Sequence, residues 1–320
     1  MTITQLEYIV AVDNARHFAK AAASCFVSQP TLSMQIQKLE DELGIKIFDR
    51  SKQPVLPTEV GVAIISQARN IIAETKAIHE IVQEQKGILH GRLSVGIIPT
   101  LAPYLLPLFV ASFTKKYPQI KLVINELTTD LIITKLREGK IDAGILVTPL
   151  QETGISEDPL FYEELVTYVS KRNLAYKKNY VLATDIDPDK LWLLEEGHCF
   201  RSQIANLCEL RKKSQEGSHF EYEAGSIETL IRLVDTNDGI TIIPELAAIN
   251  MRGRQQNQLR YFRSPAPVRE ISIATHRNQV KKRIIEVLKE EILAAVPAKM
   301  EKNKKKKIIP VYPASNESSF

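Results

Sequence analysis

Two of the three cysteines in the 320-residue chain fall in one stretch, EEGHCFRSQIANLCEL, residues 195–210. Cys199 and Cys208 could be a redox couple, metal ligands, or two small core residues. A structural zinc site needs four Cys or His ligands. Only His198 accompanies the pair locally, and no other cysteine lies in the C-terminal half, so no metal is expected. Phe200, Ile204, Leu207 and Leu210 recur at helical spacing. On one helix, nine residues at ~1.5 Å each put about 13 Å between the cysteines, and nine steps of about 100° set them on opposite faces. A disulfide needs Cα atoms within about 7 Å. Joining them therefore requires the segment to unwind, so oxidation would be mechanically coupled to the fold.

Cys199 lies between His198 and Arg201, at the start of that helix. Cationic neighbours and a helix N-terminus favour thiolate. Thiolate attacks peroxide to give sulfenic acid, which a second thiol resolves as a disulfide. From spacing alone, two inert buried cysteines remain the alternative. Cys25, in the alanine-rich HFAKAAASCF, reads as a core residue.

Elements must position these groups. Residues 1–58 read as a winged helix-turn-helix: an amphipathic helix with Leu6, Ile9 and Val10, a short alanine-rich helix, then SQPTLSMQIQKLEDELG. Ser28 suits a helix cap, Pro30 a first turn and Gly44 a stop. Leu32, Ile36, Leu39 and Leu43 form one apolar stripe, and IKIFDRSKQPVLPT suits a two-stranded wing. Residues 59–90 read as a linker helix capped by Thr58, about 40 Å long. Its Ile64, Ala68, Ile71, Thr75, Ile78 and Val82 are spaced as a heptad seam and predict a dimer. Strand and helix patterns then alternate through residues 91–296, which implies parallel sheets in an α/β effector domain of two subdomains around a cleft. The first spans about 91–162 with 268–296, the second 163–267. Residues 297–320 read as a basic disordered tail.

The tail accounts for the net charge of +4, since six lysines and two glutamates lie from Lys299 onward. Residues 1–58 balance six basic side chains against six acidic ones. Any claim of nucleic-acid binding must therefore rest on placement. Ser28, Gln29, Pro30, Thr31, Ser33, Gln35 and Lys38 stand near a helix N-terminus and off its apolar stripe, where hydroxyls and amides can meet base edges and phosphates. Arg50 in the wing suits a backbone or minor-groove contact. No run of eighteen apolar residues appears, and MTITQLEYIVAVDNARHF lacks signal-peptide features, so a cytoplasmic protein without membrane contact is expected.

The run FAKAAASCFVSQPTLSMQIQKLEDELGIKIFDR, followed by PTEVG, resembles the N-terminal domain of LysR-type transcriptional regulators, and the likeness in element order reaches about residue 295. Met34 and Gln37 stand where many relatives carry a basic side chain. The resemblance implies a periplasmic-binding-protein-like effector domain, double-stranded promoter DNA as partner, a dimer of dimers, and RNA polymerase as a further partner. It implies neither a cofactor nor an enzyme. EEGHCFRSQ with PTLAPYLLP is similar to the peroxide-sensing branch of that family. That likeness implies hydrogen peroxide as the signal, Cys199 as peroxidatic and Cys208 as resolving cysteine. It puts Thr100, Thr129 and His198 around a peroxide pocket, with Arg201, His219 and Arg269 nearby. Either threonine could instead be an ordinary cap. Two rivals stand beside this reading: a regulator answering a small metabolite, with inert cysteines, and a thiol peroxidase carrying a helical domain.

Overall fold

The computed structural model describes residues 1–85, 89–150, 152–194, 199–208, 224–300 and 307–309. It comprises two units, one built on residues 1–89, the other on 90–277 with the described residues from Arg283 onward.

In the first unit, Ile3–Ala15 (α1), Phe18–Ser24 (α2) and Gln29–Leu43 (α3) form the helix-turn-helix, and Phe48–Asp49 (β1) pairs antiparallel with Leu56–Pro57 (β2) as the wing. The caps are local chemistry. Ser28 Oγ accepts from the Thr31 amide at 3.3 Å, and Gly44 ends α3 at φ 68°. His17 caps α2, its Nδ1 accepting from the Ala19 amide at 3.2 Å. Leu32, Ile36 and Leu39 are fully buried against Leu6, Ile9 and Val12. Leu43, expected on the same stripe, is exposed because the helix ends there, beyond the edge of the core. Glu40, also on α3, is buried and ties the wing down. Its Oε1 accepts from the Ile47 amide at 2.9 Å, and Lys46 and Arg50 bond its Oε2 at 3.4 and 3.3 Å.

Helix α4 runs Glu59–Gln85 from a Thr58 cap, whose Oγ1 accepts from the Gly61 amide at 3.0 Å. A Cβ on Gly61 would lie 2.1 Å from the Ile47 carbonyl oxygen, so only glycine lets α4 start this close to the wing. The heptad seam is divided. Ala68 is buried, and Ile64 and Ile71 pack on the core of their own unit. Arg69 bonds Asp13 of α1 at 2.7 Å. Ile78, further along, is 64% exposed. The first half of the seam thus serves its own unit, and the side chain of Val82 lies outside the described residues.

The second unit contains Gly91–Ile97 (β3), Ala102–Lys116 (α5), Ile120–Glu126 (β4), Thr129–Arg137 (α6), Ala143–Thr148 (β5), Ile155–Val169 (β6), Tyr180–Val181 (β7), Leu191–Trp192 (β8), Cys199–Leu207 (α7), Ile227–Thr236 (α8), Ile240–Pro244 (β9), Glu245–Ile249 (α9), Leu259–Phe262 (β10), Pro267–His276 (β11), Lys282–Ala295 (α10) and Lys307–Ile308 (β12). Strands β4, β3 and β5 pair in parallel, as do β8 with β9 and β7 with β10. The sheet is not parallel throughout, as the alternation of strands and helices had suggested. β6 and β11 are antiparallel to each other, and β11 is antiparallel to β5. Long return strands cannot be told from parallel ones by hydrophobic pattern. β6 changes partner along its length: through Glu164 it pairs with β11, and from Leu165 with β9. It therefore runs through both halves of this unit. Ala224, which follows residues outside the described set, bridges to Leu194.

The expectation of a wholly disordered tail is corrected. Met300 is buried, Lys299 pairs with Glu245, and β12 adds in parallel to β11. Ile309 is 2% exposed. Burying one isoleucine stabilises by about 2 kcal/mol, and a strand edge supplies backbone partners. Lysine-rich composition hides both effects.

Candidate redox site and DNA-reading surface

Cys199 opens α7 and is buried, while Cys208 follows its last turn and packs, half-buried, on the core around Phe200 and Ile204. The Cys208 amide donates to the Ile204 carbonyl at 3.0 Å, so helical bonding continues to that residue. Neither thiol is in a disulfide. An unbroken helical path of nine residues separates them by about 13 Å along the axis.

Arg269 forms the floor of the site. It stands on β11 directly opposite Glu163 on β6, and both are fully buried. Its Nε donates to Glu163 Oε2 at 2.8 Å, and its Nη1 and Nη2 donate to the Thr100 hydroxyl at 3.0 Å and the Thr100 carbonyl at 3.2 Å. The guanidinium sits 5.2 Å from the ring centre of Phe200, the second residue of α7. Glu163 Oε1 accepts from the Leu246 amide at 2.7 Å. Burial pushes the Glu163 carboxyl up, and the Arg269 charge and the Leu246 amide oppose that. Thr100 is therefore not a strand-end cap: its hydroxyl is an acceptor for Arg269.

Thr129 is the first residue of α6, after the cap position at Thr128, and it makes no cap bond. Its hydroxyl is buried and has no regular hydrogen-bond partner among the described residues. The Cys199 thiol lies nearby, and the hydroxyl favours its thiolate. A hydroxyl with capacity to donate and accept, beside a thiol, suits a small polar oxidant.

The thiolate expectation needs correction. Burial is the largest influence on Cys199 and raises its pKa; the Thr129 hydroxyl and the Arg269 charge only moderate this. Desolvation of the anion outweighs the positive surroundings. Cys208, with no such helper, is pushed up to about 11 by burial. Arg201 is also placed differently from the sequence reading. It turns back to the Leu194 carbonyl, Nη1 donating at 2.7 Å, and does not figure in the charge environment of Cys199. Arg269, 70 positions away in sequence, takes that role. His198 and His219 lie outside the described residues. Glu163 went unnoticed in the sequence. The available signal was the acid pair Glu163 and Glu164 inside the otherwise apolar run LFYEELVTYV, with an arginine in the equally apolar PVREISI. Cys25 is half-buried against the core of the first unit.

On the first unit, Ser28, Gln29, Pro30, Thr31 and Lys38 are exposed on or beside α3. Ser33 and Gln35 are half-buried and engaged. Arg50 Nη1 donates to Ser33 Oγ at 3.2 Å, and Gln5 Nε2 donates to Gln35 Oε1 at 3.3 Å. Arg50 also stacks 5.0 Å from the Phe18 ring centre. The wing arginine is thus held by Glu40, Ser33 and Phe18. A cleft of about 400 Å3 lies beside it, and Arg16, His17, Lys20, Gln29 and Lys52 join Arg50 in its lining. These basic residues are scattered in the sequence and meet only in three dimensions, where the α1–α2 turn and the wing come together. No helix among the described residues is long and apolar enough to cross a membrane.

This architecture, a winged helix-turn-helix joined to a two-part α/β domain, agrees with comparison to known families. The LysR substrate binding domain matches residues 86–297, and the bacterial regulatory helix-turn-helix protein, lysR family, matches residues 3–62. The chain belongs to the LysR family of bacterial transcriptional regulators. It is 37% identical, over 85% of its length and 88% of the relative, to a hydrogen peroxide-inducible genes activator of Dickeya chrysanthemi. It is 35% identical to the DNA-binding transcriptional dual regulator OxyR of Escherichia coli K12, over 94% of this chain and 98% of that one. Full-length OxyR C199D from Pseudomonas aeruginosa superposes with a TM-score of 0.78 at 35% identity, covering 92% of this chain and 99% of that chain.

Proposed function

We propose that this chain is a cytoplasmic transcriptional regulator that senses hydrogen peroxide through Cys199. The observation that carries the reading is the buried Cys199 thiol beside the unpartnered Thr129 hydroxyl, with a second thiol one helix-length away. The Cys199 thiolate attacks one peroxide oxygen, the O–O bond breaks, and sulfenic acid and hydroxide form. The Cys208 thiol then attacks the sulfenic sulfur, forming the S–S bond and releasing water. The net change is two thiols and one peroxide to one disulfide and two waters. Thr100, Thr129 and Arg269 hold the oxidant, with His198 and His219 as further members of the pocket. Because α7 holds the sulfurs apart, the bond forms only when α7 is remodelled, which makes it a two-state element.

The DNA-reading residues are Ser28, Gln29, Pro30, Thr31, Ser33, Gln35, Lys38 and Arg50, with the basic cleft beside the wing taking backbone phosphate. Domain limits follow the family pattern: 1–58 reads DNA, 59–90 links and dimerises, and 91–296 senses. Within the last, residues 91–162 with 268–296 form one subdomain and 163–267 the other. The assembly is a dimer of dimers whose heads are re-spaced by oxidation, and RNA polymerase is the downstream partner. The protein consumes peroxide stoichiometrically as a signal and does not act as an enzyme.

Footprinting of a bound promoter fragment, with and without peroxide, tests this in the parent and in Cys199→Ser. The footprint is expected to change only in the parent; an identical change in both contradicts the switch. One observation favours a second reading, a metabolite-responsive regulator with inert cysteines: burial raises the Cys199 thiol. Labelling with a thiol probe separates the two, since an inert Cys199 reacts no faster than Cys25.

A further inference from the structure

Strand β11 begins before its partner β5 can reach it. Pairing between them stops at Glu270 opposite Thr148, which leaves Pro267 and Val268 beyond β5 on that edge. β12 fills the gap in parallel, with Lys307 opposite Pro267 and Ile308 opposite Val268. The Ile309 amide donates to the Val268 carbonyl at 2.8 Å. The Ile309 carbonyl accepts from Gln203 Nε2 at 2.6 Å. Its side chain enters the same apolar cluster as Phe200 and Ile204 of α7. Gln203 is fully buried, and its Oε1 has no partner among the described residues. The C-terminal segment is therefore held by a strand edge on one side and by the cysteine-bearing helix on the other.

Gln203 lies four residues after Cys199 and five before Cys208. A rearrangement that brings the two Cα atoms within about 7 Å must displace the helix between them, and Gln203 with it. We propose that the β11 edge and α7 form a docking seat for residues 307–309 of this same chain, and that formation of the Cys199–Cys208 disulfide empties it. This rests on the peroxide-driven disulfide set out above. Coupling of this kind is reciprocal. A seated segment favours the thiol form, and its loss eases oxidation. Emptying the seat also frees the backbone at Lys307, at the end of the lysine cluster Lys302 and Lys304–Lys307.

Hydrogen exchange of the full-length chain, read by mass spectrometry together with disulfide mapping, tests the seat. After stoichiometric peroxide, Cys199 and Cys208 are expected to be linked, with exchange at Ile309 faster by about tenfold or more. Cys199→Ser under the same peroxide should keep the slow exchange. A linked pair with unchanged exchange overturns the seat and leaves the peroxide reading intact. Absence of a linked pair overturns both. In the reciprocal arm, Ile309→Glu should shift the Cys199–Cys208 thiol–disulfide equilibrium in a glutathione buffer about fivefold towards the disulfide, and an unchanged equilibrium rules out the coupling.

Discussion

Two neighbouring parts of the sensing unit are built in opposite ways. The Arg269–Glu163 floor is over-determined: a cross-strand pair on long strands, fully buried, with the Thr100 hydroxyl and carbonyl and the Leu246 amide completing its bonds. Helix α7 above it has few polar ties to the rest of the unit. Arg201 reaches the Leu194 carbonyl and Gln203 reaches the Ile309 carbonyl, while Gln203 Oε1 lacks a partner among the described residues. Phe200, Ile204 and Leu207 supply apolar packing on the core. Apolar packing is non-directional, so a helix held this way can repack at modest cost. A buried ion pair braced by directional hydrogen bonds on both partners cannot. In the proposed mechanism the difference separates two duties: the floor would keep the pocket in place while α7 changes shape.

Breaking the floor should therefore have the largest effect. Arg269→Ala leaves the Glu163 carboxylate buried without its cation, and a loss of about 3–5 kcal/mol is expected in denaturant unfolding. Gln203→Ala, on the α7 side, should cost only about 1 kcal/mol. Equal losses would erase the contrast. Next comes pH. Burial raises the Cys208 thiol to about 11. The folded state keeps that proton after the unfolded chain has released it above about pH 8.5. Stability is therefore complete below that pH and falls as pH rises towards 11, by at most about 3 kcal/mol. Cys208→Ser should flatten the alkaline limb of a stability–pH curve; an unchanged limb assigns the loss elsewhere.

Smaller effects sharpen the same contrast. Tyr104 of α5 donates to Glu228 of α8 at 2.5 Å, and burial together with that carboxylate pushes its phenol well above the ordinary range. Tyr104→Phe should lower stability by about 1–2 kcal/mol, read by thermal unfolding. The smallest stability change is expected for Thr129→Val, within about 1 kcal/mol, because the hydroxyl has no regular partner to lose. The same variant should slow disulfide formation by peroxide about tenfold, the worth of one hydrogen bond to the reacting groups. A large stability loss with an unaltered oxidation rate would make Thr129 a structural residue only.

Much of the first unit was legible because its signals are local. The Ser28 cap, the Gly44 stop and the buried Leu32, Ile36 and Leu39 follow from side-chain chemistry and a 3.6-residue period. The seam on α4 was read correctly as apolar, but periodicity does not say which surface it meets, and Ile64, Ala68 and Ile71 meet their own unit. The site was harder. The Glu163–Arg269 pair depends on strand register across 106 positions. The state of Cys199 depends on burial, which its cationic sequence neighbours concealed. The seat for Ile309 needs an unfilled edge on β11, a feature of sheet topology that no local composition reports.

The central claim is that Cys199 and Cys208 cannot be joined while α7 stands. Backbone chemical shifts of residues 200–207, measured in the thiol form and in the chain with a mapped Cys199–Cys208 link, test it directly. Helical shifts are expected in the first and their loss across most of the segment in the second. Helical shifts kept throughout in the linked chain would contradict the account.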